Sequence, residues 1–251
     1  MLTEPTYLAL LRRIASAESN AELYLAAWAG VTPRADVRRV ISTVALREGE
    51  HSKAFQKRVG ELGFETMIEE AATTADRVAI GCASDLTDRE KFEKLGLGVP
   101  EDRSVPDRWA GYFEDQTIDI ATGELLGRFI AEERDSVRLL ANCYSTLCAE
   151  EAITRTRSTA EMEFRAGLQC DGFDDEIRMT DYAPGVAGGD LHTHPFSARL
   201  LVLDGEFILR YESGPQTLKA GECCQLDAGT LHTECTGGIG ARVLAGLKHY
   251  G

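Results

Sequence analysis

The chain has 251 residues, a formal net charge of −14, 43% hydrophobic residues and seven cysteines. The charge argues against nucleic acid or an anionic membrane as partner, and no run of about 18 apolar residues offers a membrane span. The odd cysteine count does not suggest an extracellular disulfide framework, and MLTEPTYLALLRR lacks the layout of a signal peptide, so a reducing cytoplasm is expected.

The two halves differ in character. Residues 1–155 are rich in Ala, Leu, Glu and Arg at helical spacing, whereas 160–251 hold most of the glycines and apolar runs of strand length. An α+β chain of two domains is predicted, with the boundary between about 150 and 162, where TRTRSTAEMEF switches to β-branched and alternating residues.

Three long helices are predicted, over 4–30, 34–63 and 122–150, with Pro33 at the start of the second and Gly63 at its end. Shorter helices are predicted around 65–80, 87–95 and 107–119, with Pro100 and Pro106 interrupting them. The second helix has a seam of Val37, Ile41, Val44, Glu48, His51 and Phe55. Steps of four and three make this the inward stripe of a bundle helix, so Glu48 and His51 face the core. The first helix runs Leu8, Leu11, Ala15, Glu18, Glu22, Leu25, and the third runs Leu126, Ile130, Glu133, Val137, Leu140, Tyr144, Leu147. Carboxylates interrupt all three stripes, and buried ionisable groups are costly unless paired or bound to metal.

AESNAELYLAAWA followed by REGEHSKAF resembles the first helix pair of rubrerythrin and other ferritin-like proteins, over about residues 8–60. The resemblance implies a helical bundle in which Glu18, Glu48 and His51 bind metal. A full site of that kind needs a second Glu-x-x-His, and no other histidine precedes His192. Glu133 is preferred as the later ligand for its inward position. Glu132 and Asp135 are substitutes, with Asp135 standing where the missing histidine would be. A metal-free scaffold or dimerisation bundle is the competing reading, and the missing motif favours it. Glu132, Glu133, Arg134 and Asp135 would then form an ion-pair network with Arg47 or Arg128.

The second half centres on HTHPFSARLLVLDG and GECCQLDAGTLHTECT. His192 and His194 lie two apart, so on a strand they point to the same side. His232 can join them from a distant strand, and imidazoles suit Zn, Fe, Cu or Ni. Asp204-Gly205 is a hairpin signal. Gly237, Gly238 and Gly240 read as a turn-rich connection between strands. No nucleotide-binding glycine loop and no Ser-His-Asp arrangement is found.

Gly221, Asp227, Gly229, His232 and Thr236 match, at every spacing, the second of the two cupin motifs, G-x5-P-x-G-x2-H-x3-N. Asp227 replaces the proline and Thr236 the asparagine. The first motif, G-x5-H-x-H-x3-4-E-x6-G, is met by His192, His194 and Gly205. Its opening glycine is one place off at Gly185, and its glutamate position falls on Ala198 or Arg199. Residues 160–251 therefore resemble the cupin family. The resemblance implies a double-stranded β-helix (jelly-roll) barrel with a site in its mouth, and a three-histidine set as in the cysteine dioxygenase-like branch.

Three neutral ligands leave positions open for substrate, which favours catalysis over a closed structural site. The expectation is a dioxygenase-like oxidoreductase acting on a small organic molecule, with Fe(II) the first choice of divalent ion and Zn, Ni or Mn as alternatives. Arg199, if a bulge turns it inward, with Tyr182 and Gln225, are candidate substrate contacts. Simple alternation instead points Phe196, Ala198 and Leu200 inward. Two alternatives remain open: a non-enzymatic binding or sensor cupin on a helical dimerisation scaffold, and di-iron oxidase chemistry in the helical half. A homodimer is expected.

Overall fold

The computed structural model describes residues 4–99 and 109–250. The predicted breaks at Pro100 and Pro106, and the first positions of the helix predicted over 107–119, lie outside them. The chain divides into two compact units, Met1–Glu150 and Glu151–Gly251.

The first unit is helical. Its elements are α1 (Leu8–Val31), α2 (Ala35–Glu61), α3 (Thr74–Cys82), α4 (Asp88–Leu95) and the first part of α5 (Ile120–Asp171). The predicted helix over 65–80 is thus shorter and starts later, and the described part of 107–119 holds only a 3-10 turn at Ala110–Phe113. The α2 seam is buried along its whole length, from Val37 to Phe55. Thr87 and Glu90 form a capping box that starts α4. Asp88 ties α4 to α1 by accepting bonds from Trp28 Nε1 and Thr32 Oγ1, each at 2.7 Å.

Two apolar clusters fill this unit. One contains Leu8, Leu11, Ala15, Phe55, Leu126 and Ile130. The other contains Leu25, Val37, Ile41, Val44 and Leu140. Along each of α1, α2 and α5 the two clusters are separated by a polar layer, at Glu18, at Glu48 and His51, and at Glu133.

The predicted end of the third helix near 150 is corrected: α5 runs to Asp171, and TRTRSTAEMEF is helical. Thr156 and Thr159 return their hydroxyls to the carbonyls of Ala152 and Arg155, which lets these residues sit in a helix. Residues 152–159 are exposed all round, so this stretch has no apolar stripe for a periodicity argument to find. No helix among the described residues is long and apolar enough to cross a membrane.

The second unit is built on an antiparallel sheet of β1 (Glu176–Tyr182), β2 (Phe196–Tyr211), β3 (Gly214–Lys219), β4 (Cys223–Leu226) and β5 (Thr233–His249). The order is β1-β5-β2-β3, and β4 also pairs with β2. One face carries Ala198, Leu200, Val202, Phe207, Leu209, Leu218, Leu226 and Val243 in a single cluster. The opposite face carries Leu201, Leu203 and Leu244, covered by Phe164 of α5.

Two sequence expectations fail here for one reason. Asp204-Gly205 is not a hairpin, and Gly237, Gly238 and Gly240 do not connect strands. Both sets lie inside the long strands β2 and β5. The β2/β5 register shifts between Val202 and Asp204 and again between Gly205 and Phe207. Gly205 and Gly240 both adopt positive φ, +76° and +79°. A Cβ on Gly205 would overlap the Gly240 carbonyl oxygen, so the two strands can bend against each other only with glycine there.

Candidate metal centres

His192 and His232 form an isolated antiparallel bridge, with backbone bonds of 2.8 and 3.0 Å. The Gly229 amide donates to the His194 carbonyl at 2.9 Å. Side chains at 192 and 194 therefore project to the same side as that of 232. His192 Nδ1 donates to the Asp190 carbonyl at 3.1 Å, and His232 Nδ1 to the Thr230 carbonyl at 2.8 Å. These bonds select the tautomer whose Nε2 carries a lone pair, the arrangement of a metal-ligating imidazole. His232 Nε2 is buried with no hydrogen-bond partner.

A fourth residue, absent from the sequence expectation, completes the group. Glu234 Oε2 lies 3.3 Å from His192 Nε2, and its Oε1 lies 3.7 Å from His194 Nε2 and 3.5 Å from His232 Nε2. The four ligand atoms all fall within 4.8 Å of one another. An ion about 2.0–2.2 Å from each donor would set them roughly 3–4.4 Å apart, so the residues fit one ion with small side-chain adjustment. The first motif's glutamate is indeed lost, and a carboxylate from the second motif's strand faces the same point. Its signal was present in the sequence: Glu234 follows His232 by two in LHTECT, which puts both on one face of a strand. Burial lowers the His194 pKa against the opposing pull of Glu234, and its two histidine neighbours lower it further. Both effects favour the neutral ligand form. The His192 side chain is 41% exposed and that of His194 is 31% exposed, while His232 is 1% exposed. The site is thus open on one side and closed on the other.

The candidate substrate contacts separate. Tyr182 is on the inner face, 5.1 Å from Phe207 ring to ring, and burial followed by the charge of Glu234 raises its pKa. Arg199 is corrected. No bulge turns it inward, Ala198 packs into the inner cluster, and Arg199 pairs with Asp171 and lies over the Phe173 ring. Gln225 is opposite Arg199 in the β2/β4 ladder and so shares its outward face. It donates to Asp227 at 2.8 Å.

The helical unit contains the second group. Ligand atoms of Glu18, Glu48, His51 and Glu133 lie within 4.8 Å of one another. His51 Nδ1 is 3.4 Å from Glu18 Oε2 and 3.6 Å from Glu133 Oε1. Its Nε2 is 2.7 Å from Glu132 Oε2. Glu48 is 6% exposed, and burial together with a hydrogen bond to Glu18 pushes its pKa up to about 10. Of the substitutes, Asp135 is drawn aside to Arg47 and Arg138, whereas Glu132 holds His51 with one oxygen and Arg128 with the other, at 2.9 Å. Part of the predicted ion-pair network therefore exists, and it reaches the cluster through Glu132. A cavity of about 460 Å³ reaches the cluster. Glu18, Glu48, Glu133, Tyr24, Arg77 and Ser136 are among its walls.

No known family profile and no curated protein matches the chain. Among solved structures it is similar to a protein of unknown function from Rhizobium leguminosarum bv. viciae, at 22% identity and a TM-score of 0.28, covering 30% of this chain and 69% of that one. It is also similar to a cupin-2 domain containing protein from Shewanella frigidimarina, at 15% identity and a TM-score of 0.25, with coverages of 30% and 69%. A Bacillus subtilis oxalate decarboxylase variant is similar at 19% identity and a TM-score of 0.26, with coverages of 29% and 20%. Cupin-superfamily proteins recur among these neighbours.

Proposed function

We propose that the second unit is a cupin domain that holds one divalent ion between His192, His194, His232 and Glu234, and that it is a dioxygenase-like oxidoreductase acting on a small organic substrate. The observation that carries this reading is the convergence of three imidazole Nε2 atoms on one carboxylate, with two rings locked by backbone carbonyls and His232 Nε2 buried without a hydrogen bond. Three imidazoles and one carboxylate are a donor set for Fe(II), Mn, Ni or Zn. Fe(II) is our first assignment: bound by these four residues, it could supply the chemistry that brings an organic substrate and O2 together.

The chain's own residues have definable tasks in this reading. Asp190 and Thr230 hold two imidazoles by their carbonyls. Glu234 balances part of the cation's charge. The exposed side of His192 and His194 is the approach for substrate, and Tyr182 is a polar contact on the inner face. Arg199 and Gln225 have no part in it. The test is metal analysis and oxygen consumption of the whole protein against His194→Ala. Metal in wild type with dioxygen uptake supports the enzyme. Metal or ligand binding without uptake supports the sensor or binding reading, and equal metal in both proteins at the sheet site refutes the ligand assignment.

We further propose that the helical unit is of ferritin-like type and binds a cation at Glu18, Glu48, His51 and Glu133. The buried carboxylates of Glu18 and Glu48 and the partly buried one of Glu133 gather about one histidine there. This favours a bound cation over the metal-free scaffold. A cytoplasmic homodimer, with neither nucleic acid nor membrane as partner, is the setting we propose for both units.

A further inference from the structure

Thr236 occupies the asparagine position of the second motif, four residues after His232, and no task has been assigned to it. It is 7% exposed. Its hydroxyl donates to the Ala183 carbonyl at 2.7 Å and accepts from the Val186 amide at 2.9 Å. Its own amide donates to the Val186 carbonyl at 3.1 Å, and one residue further on the Gly237 carbonyl accepts from Gly185 at 2.9 Å. The segment fastened in this way leads from β1 to His192.

Beyond Gly185 that segment is tied to β5 and the residue before it at two rungs, Val186 with Thr236 and His192 with His232. Between them, residues 187–191 face residues 233–235, so five residues span three. The two extra residues must be taken up somewhere. They are folded over the outward side of β5, where a Cβ on Gly188 would lie 2.6 Å from Thr233 Oγ1 and 2.8 Å from Cys235 Sγ. Glu234, the carboxylate of the site, sits between the two rungs with its side chain on the other face. The placement of His192 relative to Glu234 therefore depends on where this excess is fixed, and the Thr236 hydroxyl fixes one end of it.

We infer that Thr236 is a positioning residue for the metal site: its hydroxyl sets the register of residues 183–192 on β5 and so the location of the His192 imidazole against His232 and Glu234. The inference rests on the proposed metal reading of the sheet unit. Outer groups that orient a ligand commonly change metal affinity by about 10–100-fold. Valine at 236 matches threonine in shape and removes both side-chain bonds, whereas serine keeps them.

The test uses the full chain as wild type, Thr236→Val, Thr236→Ser and Gly188→Ala, each titrated with Co(II). Spectra are taken as differences from His194→Ala, which removes any signal of the helical cluster. Amide hydrogen exchange of the metal-free proteins is followed in parallel. In Thr236→Val we expect Co(II) affinity to fall by about 10–100-fold, the visible absorption to shift, and the His192 and His232 amides to exchange faster while Val243 and Leu244 stay protected. Thr236→Ser should behave as wild type. Gly188→Ala keeps every hydroxyl bond but lifts the excess loop, and it should shift the absorption as the valine variant does. Wild-type affinity and spectrum in Thr236→Val overturn the inference, as does a serine variant as impaired as the valine one. A wild type without a Co(II) difference signal overturns the metal reading itself. The exchange data then decide the register claim separately, and unchanged His192 exchange in Thr236→Val overturns that too.

Discussion

The sheet and helical clusters each combine histidine and glutamate within the same 4.8 Å, yet they are held in opposite ways. In the sheet, the backbone carries the geometry. Two imidazoles are fixed by carbonyls two residues before them, and their chain segments are joined by rungs of the ladder. In the helices side chain meets side chain: His51 faces Glu18, Glu132 and Glu133, and ionised carboxylates so close repel one another. Glu48 reaches neutrality instead, its pKa pushed up to about 10 by burial and by Glu18. A ligand set of mostly neutral donors can be held by backbone bonds alone. A ligand set of mostly anionic donors is bistable, protonated when empty and ionised when filled.

The largest expected effect comes from His232→Ala. It removes the most buried of the four sheet donors and should reduce sheet-bound metal below detection while leaving the helical unit's metal in place, as read by metal analysis of the full chain. Loss of metal from both groups would break the comparison. Next in size is removal of metal from the helices. A cation at one hundred times its dissociation constant stabilises by about 2.7 kcal/mol, which is on the order of 5–10 °C in melting temperature for a domain of this size. Chelator should lower the melting temperature of the helical unit by roughly that amount in a His194→Ala background, which lacks the sheet ion, and leave Glu48→Ala in that background unmoved. Equal shifts in both proteins would return the cluster to the metal-free scaffold.

A smaller effect follows from protonation. The folded pKa of Glu48 lies above its unfolded value, so the folded state binds the extra proton. Its contribution is complete below the ordinary carboxylate range and is lost as pH rises toward about 10. In chelator, the helical unit should therefore become less stable between about pH 5 and pH 9, and Glu48→Gln should flatten that slope in denaturant titrations. A slope unchanged in the glutamine variant would assign it to other groups. The smallest effect is expected at Arg199. Its pair with Asp171 is partly exposed, at 35% and 52%, and such pairs contribute about 0–1 kcal/mol. Arg199→Ala should keep full sheet metal and nearly full stability.

Much of this was legible in the residues. The α2 seam from Val37 to Phe55 announced a buried face, and the step of three from Glu48 to His51 placed both on it. The histidines announced a strand site because a period of two is hard to produce on a helix. Three things were hidden. Glu234 has the strand spacing of two from His232, but it stands outside both motif patterns, so its part in the group shows only in the fold. The bend at Asp204-Gly205 could not be told from a hairpin, since both require glycine at positive φ; the partner Gly240, 35 residues away, decides between them. The length of α5 was invisible because residues 152–159 bury no face, and without a buried stripe, helical and irregular chain look alike.

The paired glycines settle a question of reach. From Phe196, beside His194, to Leu209, the ladder partner of Glu234, β2 advances thirteen residues, or roughly 43 Å of extended chain. No side chain crosses that distance, yet His194 and Glu234 place ligand atoms within 4.8 Å of each other. The β2/β5 ribbon must double over on itself between these points, and the register shifts about Gly205 are where it does so. A methyl group on Gly205 would act as a splint. Straightening the ribbon would carry the carboxylate away from the imidazoles with every donor still intact.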